Sequence, residues 1–132
     1  MNDRVIKFRA WHKILKIMSP VLRIDSRSGV ILGDHQTAYF LPFEKVELMQ
    51  FTSLLDKNGK EIYEGDIIRG EFLDGLLGVN VGSVAFEEGQ FVFKCPRAIQ
   101  YPNDPLWFPV SQLVETEIIG NIFENPELLE KP

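Results

Sequence analysis

The chain has 132 residues, a net charge of −5, 45% hydrophobic residues and 25% charged ones. One domain of that length buries roughly two-thirds of its unfolded surface, and ten Phe, three Tyr and two Trp can fill a core, so wholesale disorder is excluded. The single cysteine, Cys95, excludes a disulfide within this sequence and any Cys/His zinc set, while the acidic balance argues against a dedicated nucleic-acid binder.

The charge is uneven. Residues 1–27 hold seven bases against two acids, a balance of +5, which leaves −10 on residues 28–132. The basic stretch either solvates its own outer face or complements the acidic remainder; the sharper alternative is a patch for a phosphate-bearing partner. The sequence is charged from Asp3 onward and holds no apolar run near the ~20 residues of a membrane helix. The expectation is a protein with no membrane span, in the reducing cytoplasm of its cell.

In chain order, Ile6, Phe8 and Ala10 alternate with Lys7, Arg9 and Trp11, the period of a strand. Residues 14–18 predict a returning strand that Ser19-Pro20 ends, in a hairpin whose turn lacks Asn-Gly chemistry. Residues 21–47 predict short strands and loops broken at Gly29, Gly33 and Pro42, with a short helix at 43–47 as the alternative. Residues 48–52 predict a strand, Asn58-Gly59 a tight hairpin turn, residues 64–66 a bend and residues 67–69 the next strand. Gly75, Gly78 and Gly82 mark a loop or a bent strand pair. Val84 and Phe86 face Phe91 and Phe93 across a longer turn with Gly89 in its left-handed position. Four prolines make residues 95–109 a loop, and residues 110–119 return to strand. Asn125 as cap, Pro126 and Glu127 predict a helical turn at 126–130. Neither linker nor repeat appears, so residues 1–132 are expected to form one domain.

Motifs that carry chemistry are sparse. His12 and His35 are expected on exposed turns and stand in no motif with a nucleophile or paired carboxylate. Cys95 has no activated-thiol signature and reads as a small buried residue. The glycines at 75, 78 and 82 lack the Gly-Lys-Ser/Thr ending of a phosphate loop. Glu61, Glu64 and Asp66 read as a solvated turn, their spacing fitting no calcium loop. Trp107-Phe108-Pro109 either plugs the edge of a core or offers an aromatic patch to a ligand. The one surface singled out is the outward face of the first strand, where Lys7, Arg9 and Trp11 project, with Lys13 nearby. Those cations beside a ring would hold phosphates and stack a base; alternatively the Lys7 and Arg9 stems cover apolar surface while Trp11 is buried. No catalytic residue, metal ligand or cofactor is expected.

Three blocks of this sequence carry a family resemblance: residues 6–11 (IKFRAW), 48–69 (LMQFTSLLDKNGKEIYEGDIIR) and 118–129 (IIGNIFENPELL). In this order and spanning nearly the whole chain, they resemble the YopX family of small proteins encoded by bacteriophages and prophages of mainly Gram-positive bacteria. The sequence departs from that pattern at Ser53, where glycine is common, at Leu55, where a polar residue is usual, and at His12, where aspartate is frequent. The resemblance implies a phage or prophage protein acting inside a bacterial host, with a β-rich fold. It implies no agreed activity and no catalytic residues.

The expected fold is mainly β, a bent, partly closed antiparallel sheet with the character of an SH3-like barrel and minor short helices, with α+β as the alternative. The first functional reading is a non-enzymatic binding or regulatory module for a host or phage protein. The alternatives are a nucleic-acid-binding accessory protein using the basic segment and an enzyme whose site is assembled from distant positions. Self-association is open, since a β-rich chain can leave sheet edges exposed. Function is expected on residues 21–47 and 70–82, outside the turn-forming motifs.

Overall fold

The structure is a computed structural model that describes residues 4–34, 36–72, 78–96 and 106–130. The described chain is mainly β, and its only helical elements are three 3₁₀ turns, so the α+β alternative falls. The strands form antiparallel sheets that stay open rather than one partly closed, barrel-like sheet. Contacts gather into two compact units, Met1–Phe51 and Thr52–Pro132. The division falls inside a strand, not in a Pro/Gly-rich connector, which is why no linker signal marks it.

In the first unit, β1 (Phe8–His12), β2 (Ile17–Asp25), β3 (Gly29–Leu32), β4 (Tyr39–Pro42) and the first part of β5 (Val46–Leu55) lie in the order β4-β3-β2-β1-β5. Residues 21–47 form short strands separated by turns and loops, as expected, and the short-helix alternative reduces to one 3₁₀ turn, Phe43–Lys45, after Pro42. Inward positions Ala10, Val30, Leu32, Leu41 and Val46 form the core of this unit, with Val21, Phe43 and Leu48 packed on it.

The first hairpin forms, but its second strand starts at Ile17 rather than Ile14, whose N–H is taken by the turn, and Ser19-Pro20 does not end it. Pairing with β3 begins only at Val21, so Pro20 has β1 alone as a hydrogen-bonding neighbour and its missing N–H is tolerated. The turn is organised by His12. Its Nδ1 accepts the N–H groups of Ile14 (3.2 Å) and Leu15 (3.1 Å), and its carbonyl accepts that of Lys16 (2.8 Å). The expectation of an exposed His12 is therefore wrong: the ring is buried, 5% exposed, because it substitutes for the missing Asn-Gly chemistry. His35 lies outside the described residues.

The second unit begins with the end of β5, which borders β6 (Glu61–Tyr63). It continues with β7 (Asp66–Phe72), β8 (Val79–Glu87), β9 (Gln90–Cys95), β10 (Leu106–Pro109) and β11 (Leu113–Asn121) in a sheet of order β10-β9-β8-β7-β11. The core is one cluster of Ile62, Ile68, Phe72, Val84, Phe93, Cys95, Val110 and Leu113. The loop expected at 95–109 ends early, because β10 pairs with β9 over Leu106–Pro109. A proline is accommodated there because β10 is an edge strand. Residues 73–77 and 97–105 lie outside the described residues.

Turn chemistry was placed correctly but typed wrongly. Asn58 keeps a negative φ and only Gly59 is left-handed (φ 82°), in a wider turn closed by Asp56 N–H to the Lys60 carbonyl at 2.8 Å. At the β8–β9 end the reverse holds: Glu87 pairs directly with Gln90, leaving the two-residue loop Glu88-Gly89 with both φ values positive. The terminal 3₁₀ turn, Pro126–Leu129, has no side-chain cap. Asn125 Oδ1 instead accepts the Asn121 N–H at 3.1 Å, which folds the end of β11 back on itself.

Asp56 ties these pieces together. Its Oδ1 accepts the Asn58 and Lys60 N–H groups, both at 2.9 Å, and Oδ2 accepts the Ile118 N–H of β11 at 3.1 Å. Nearby, Lys57 N–H reaches the Thr116 carbonyl (2.7 Å) and Ile122 N–H reaches the Gly65 carbonyl (2.8 Å). Burial by itself would raise the Asp56 carboxyl, but the three N–H groups and the Lys60 charge together outweigh it and hold the group below 3.8.

Two outcomes follow from this geometry. A carboxyl lowered in the folded state stabilises fully above its unfolded value and stops doing so as pH falls through the lowered one. Asp56→Asn should therefore cost about 2 kcal/mol near neutrality and flatten the acid limb of stability, measured as Tm down an acid series. An unchanged acid limb would refute this role. Ser53, where the family pattern has glycine, sits at φ 73° within β5. Ser53→Gly should raise stability by about 1 kcal/mol in urea unfolding, and a loss would show that the hydroxyl compensates the strain.

Candidate functional site

The surface singled out on β1 is only partly available. Lys7 is exposed and Arg9 half-buried, but Trp11 is 6% exposed, so its ring offers no face for a base to stack on. Lys13 is held within its own unit by Glu47 Oε1 at 3.3 Å and the Glu44 carbonyl at 3.3 Å. An exposed pair of this kind contributes at most about 1 kcal/mol, so Lys13 can exchange it for another anion. Of the two readings of this strand, the one with Trp11 buried holds.

The 61–66 turn, expected to be solvated, is not so throughout, because Asp66 turns inward to bond the backbone. Asp66 is buried and its Oδ2 accepts the Tyr63 N–H at 2.8 Å, while Glu61 Oε1 accepts the Tyr63 hydroxyl at 3.2 Å. Among the described residues no group of three or more His, Cys, Asp or Glu side chains could hold a metal ion. No described helix is long and apolar enough to cross a membrane.

The second unit builds a different surface from the alternation of its strands. Val84, Phe93 and Phe108 form one cross-strand row facing the core, where the Phe108 ring lies 4.2 Å from that of Phe72. The next row, Ser83, Lys94 and Trp107, must face the other way. Within Trp107-Phe108-Pro109, Phe108 thus plugs the core, and Trp107 stands outside, 50% exposed.

This outer row lines a hollow of about 220 Å³ whose walls are Ser83, Lys94, Cys95, Pro96, Trp107 and Leu129. Leu129 comes from the terminal 3₁₀ turn, which the Asn121–Asn125 link holds in place. On the core side of β8, Gly82 must lack a side chain, because a Cβ there would lie 2.6 Å from the Lys94 carbonyl oxygen and 2.8 Å from the Phe93 ring. Lys94 Nζ stands 4.6 Å from the Trp107 ring centroid and 3.0 Å from Glu87 Oε1, so a cation, an aromatic face and a carboxylate meet at the rim. Cys95 is fully buried in the core cluster and contributes wall, not chemistry. Of these residues only Trp107 carried a signal in the sequence. Ser83, Lys94 and Leu129 become neighbours only through strand register and the fold of the last turn.

Fold and surface together define a small two-sheet β protein with an aromatic hollow on one exposed sheet face. The family model described as YopX protein matches residues 7–130, and the chain belongs to the YopX family. The crystal structure of protein EF1440 from Enterococcus faecalis is similar at 28% identity and a TM-score of 0.56, covering 95% of this chain and 98% of that one. The X-ray crystal structure of yopX from Bacillus subtilis is similar at 23% identity and a TM-score of 0.60, covering 100% and 99%; at that identity the likeness speaks for the fold alone. None of the curated proteins searched matches this chain.

Replacing a buried ring has a different signature from removing a ligand contact. Trp11→Ala should cost about 3–5 kcal/mol in urea unfolding. A cost below about 0.5 kcal/mol would mean that the ring is surface material and would return β1 to the list of binding faces.

Proposed function

We propose that this protein is a phage- or prophage-encoded binding module that acts in the bacterial cytoplasm by engaging another protein through the β8–β9–β10 face. The observation that supports this reading is the hollow around Trp107, an exposed aromatic beside a cation and a carboxylate in a shape that admits a side chain. Trp and Arg contacts in partly enclosed hollows carry most of the affinity of protein interfaces, whereas the surrounding rim mainly excludes water. The phage origin rests on the family resemblance.

The nucleic-acid alternative would use Lys7, Arg9 and Lys13, with no stacking from the buried Trp11. It predicts affinity that falls steeply with salt, because released counterions drive such binding. Affinity purification with tagged protein from lysates of infected and uninfected host cells tests the two together, with Trp107→Ala and Lys7→Ala/Arg9→Ala run alongside. A protein retained by the wild type and lost with Trp107→Ala is the expected outcome. Retention of nucleic acid, lost at high salt and with Lys7→Ala/Arg9→Ala, would overturn it in favour of the alternative.

A further inference from the structure

Resting on the protein-binding reading above, we propose that the hollow takes a partner segment in which an apolar side chain is flanked by arginine or lysine. Its volume of about 220 Å³ lies below the roughly 300–1,000 Å³ of small-molecule sites and suits a single side chain. Its walls are largely carbon, from Trp107, Leu129, Pro96 and Cys95, and burying an apolar group there gains about 25 cal/mol for each Å² removed from water.

The rim specifies the flanking charge. The Trp107 face already receives an ammonium, Lys94 Nζ at 4.6 Å, and that ammonium is shared with Glu87 at 3.0 Å. A guanidinium satisfies the same two groups better, because it is planar, stacks on the ring and meets a carboxylate through two parallel N–H bonds. Lys94, on a flexible four-carbon stem and partly exposed, can swing to water and leave the ring face to the incoming group.

The wider field has the same sign. Residues 52–132 hold six bases and fourteen acids, a balance of −8. Two of those acids, Glu127 and Glu130, are exposed at the turn that supplies Leu129. Such a surface attracts basic partners at long range and repels acidic peptides and phosphate backbones.

Panning a random phage-displayed peptide library on the full-length protein tests the proposal. Enriched peptides are then measured by fluorescence anisotropy against wild type, Trp107→Ala, Glu87→Gln and Glu87→Lys, each variant first checked for its fold by circular dichroism. The expected result is enrichment of Arg or Lys beside Leu, Ile or Phe. Affinity should fall about tenfold in Trp107→Ala, severalfold in Glu87→Gln and further in Glu87→Lys, and should weaken with salt. Enrichment of acidic or uncharged sequences that still need Trp107 would overturn the basic partner and leave protein binding at this face intact. If no peptide and no lysate protein depends on Trp107, both readings fall.

Discussion

Two segments remote in sequence, the 56–60 turn and β11, meet at the Asp56 carboxylate, and the second unit depends on that meeting. A buried carboxylate is costly unless every lone pair finds a donor, and here the donors are backbone N–H groups of its own turn and of β11. The same bonds that settle the charge fix where β11 lies against the turn. With β11 placed, Gly65 receives Ile122, Asn121 folds against Asn125, and the terminal turn delivers Leu129 to the outer face of the sheet. The hollow is thus built on a scaffold contact that is itself buried.

This arrangement gives the two later sequence blocks of the family a physical meaning. Residues 56–66 and 118–129 are the two halves of one clasp, joined by the Asp56 and Gly65 bonds to Ile118 and Ile122. Ser53 fits the same account: its backbone is left-handed (φ 73°), a conformation in which glycine is strain-free and serine tolerates a conformational cost. His12 makes a comparable substitution in the first unit, where a ring nitrogen does the work of an Asn-Gly turn and its lone pair is committed to backbone N–H groups.

The outer face of the second sheet combines an exposed ring with paired rim charges. A large aromatic is left half-exposed on a paired strand, although burying such a ring inside would stabilise the fold by several kcal/mol. The rim charges are arranged so that one cation satisfies both the ring and a carboxylate, a geometry an incoming cation can copy. Each feature has a separate structural explanation; together they are the basis of the site proposed for a basic, apolar side-chain pair.

The amino-acid sequence by itself determined the β class, the position of nearly every turn and the family, because strand alternation and Gly, Pro and Asn punctuation are local effects that a few neighbouring residues decide. It also fixed the charge contrast between the first segment and the rest. Turn types, the run of β2 through Pro20, the burial of His12 and Trp11, and the strand at residues 106–109 were decided only by tertiary structure. Each depends on which strand lies alongside and where its pairing stops. The hollow belongs wholly to that second category. Ser83, Lys94, Trp107 and Leu129 share no spacing or motif, and they meet because strand register sets three of them in one row and a buried carboxylate far from them holds the chain end that brings the fourth.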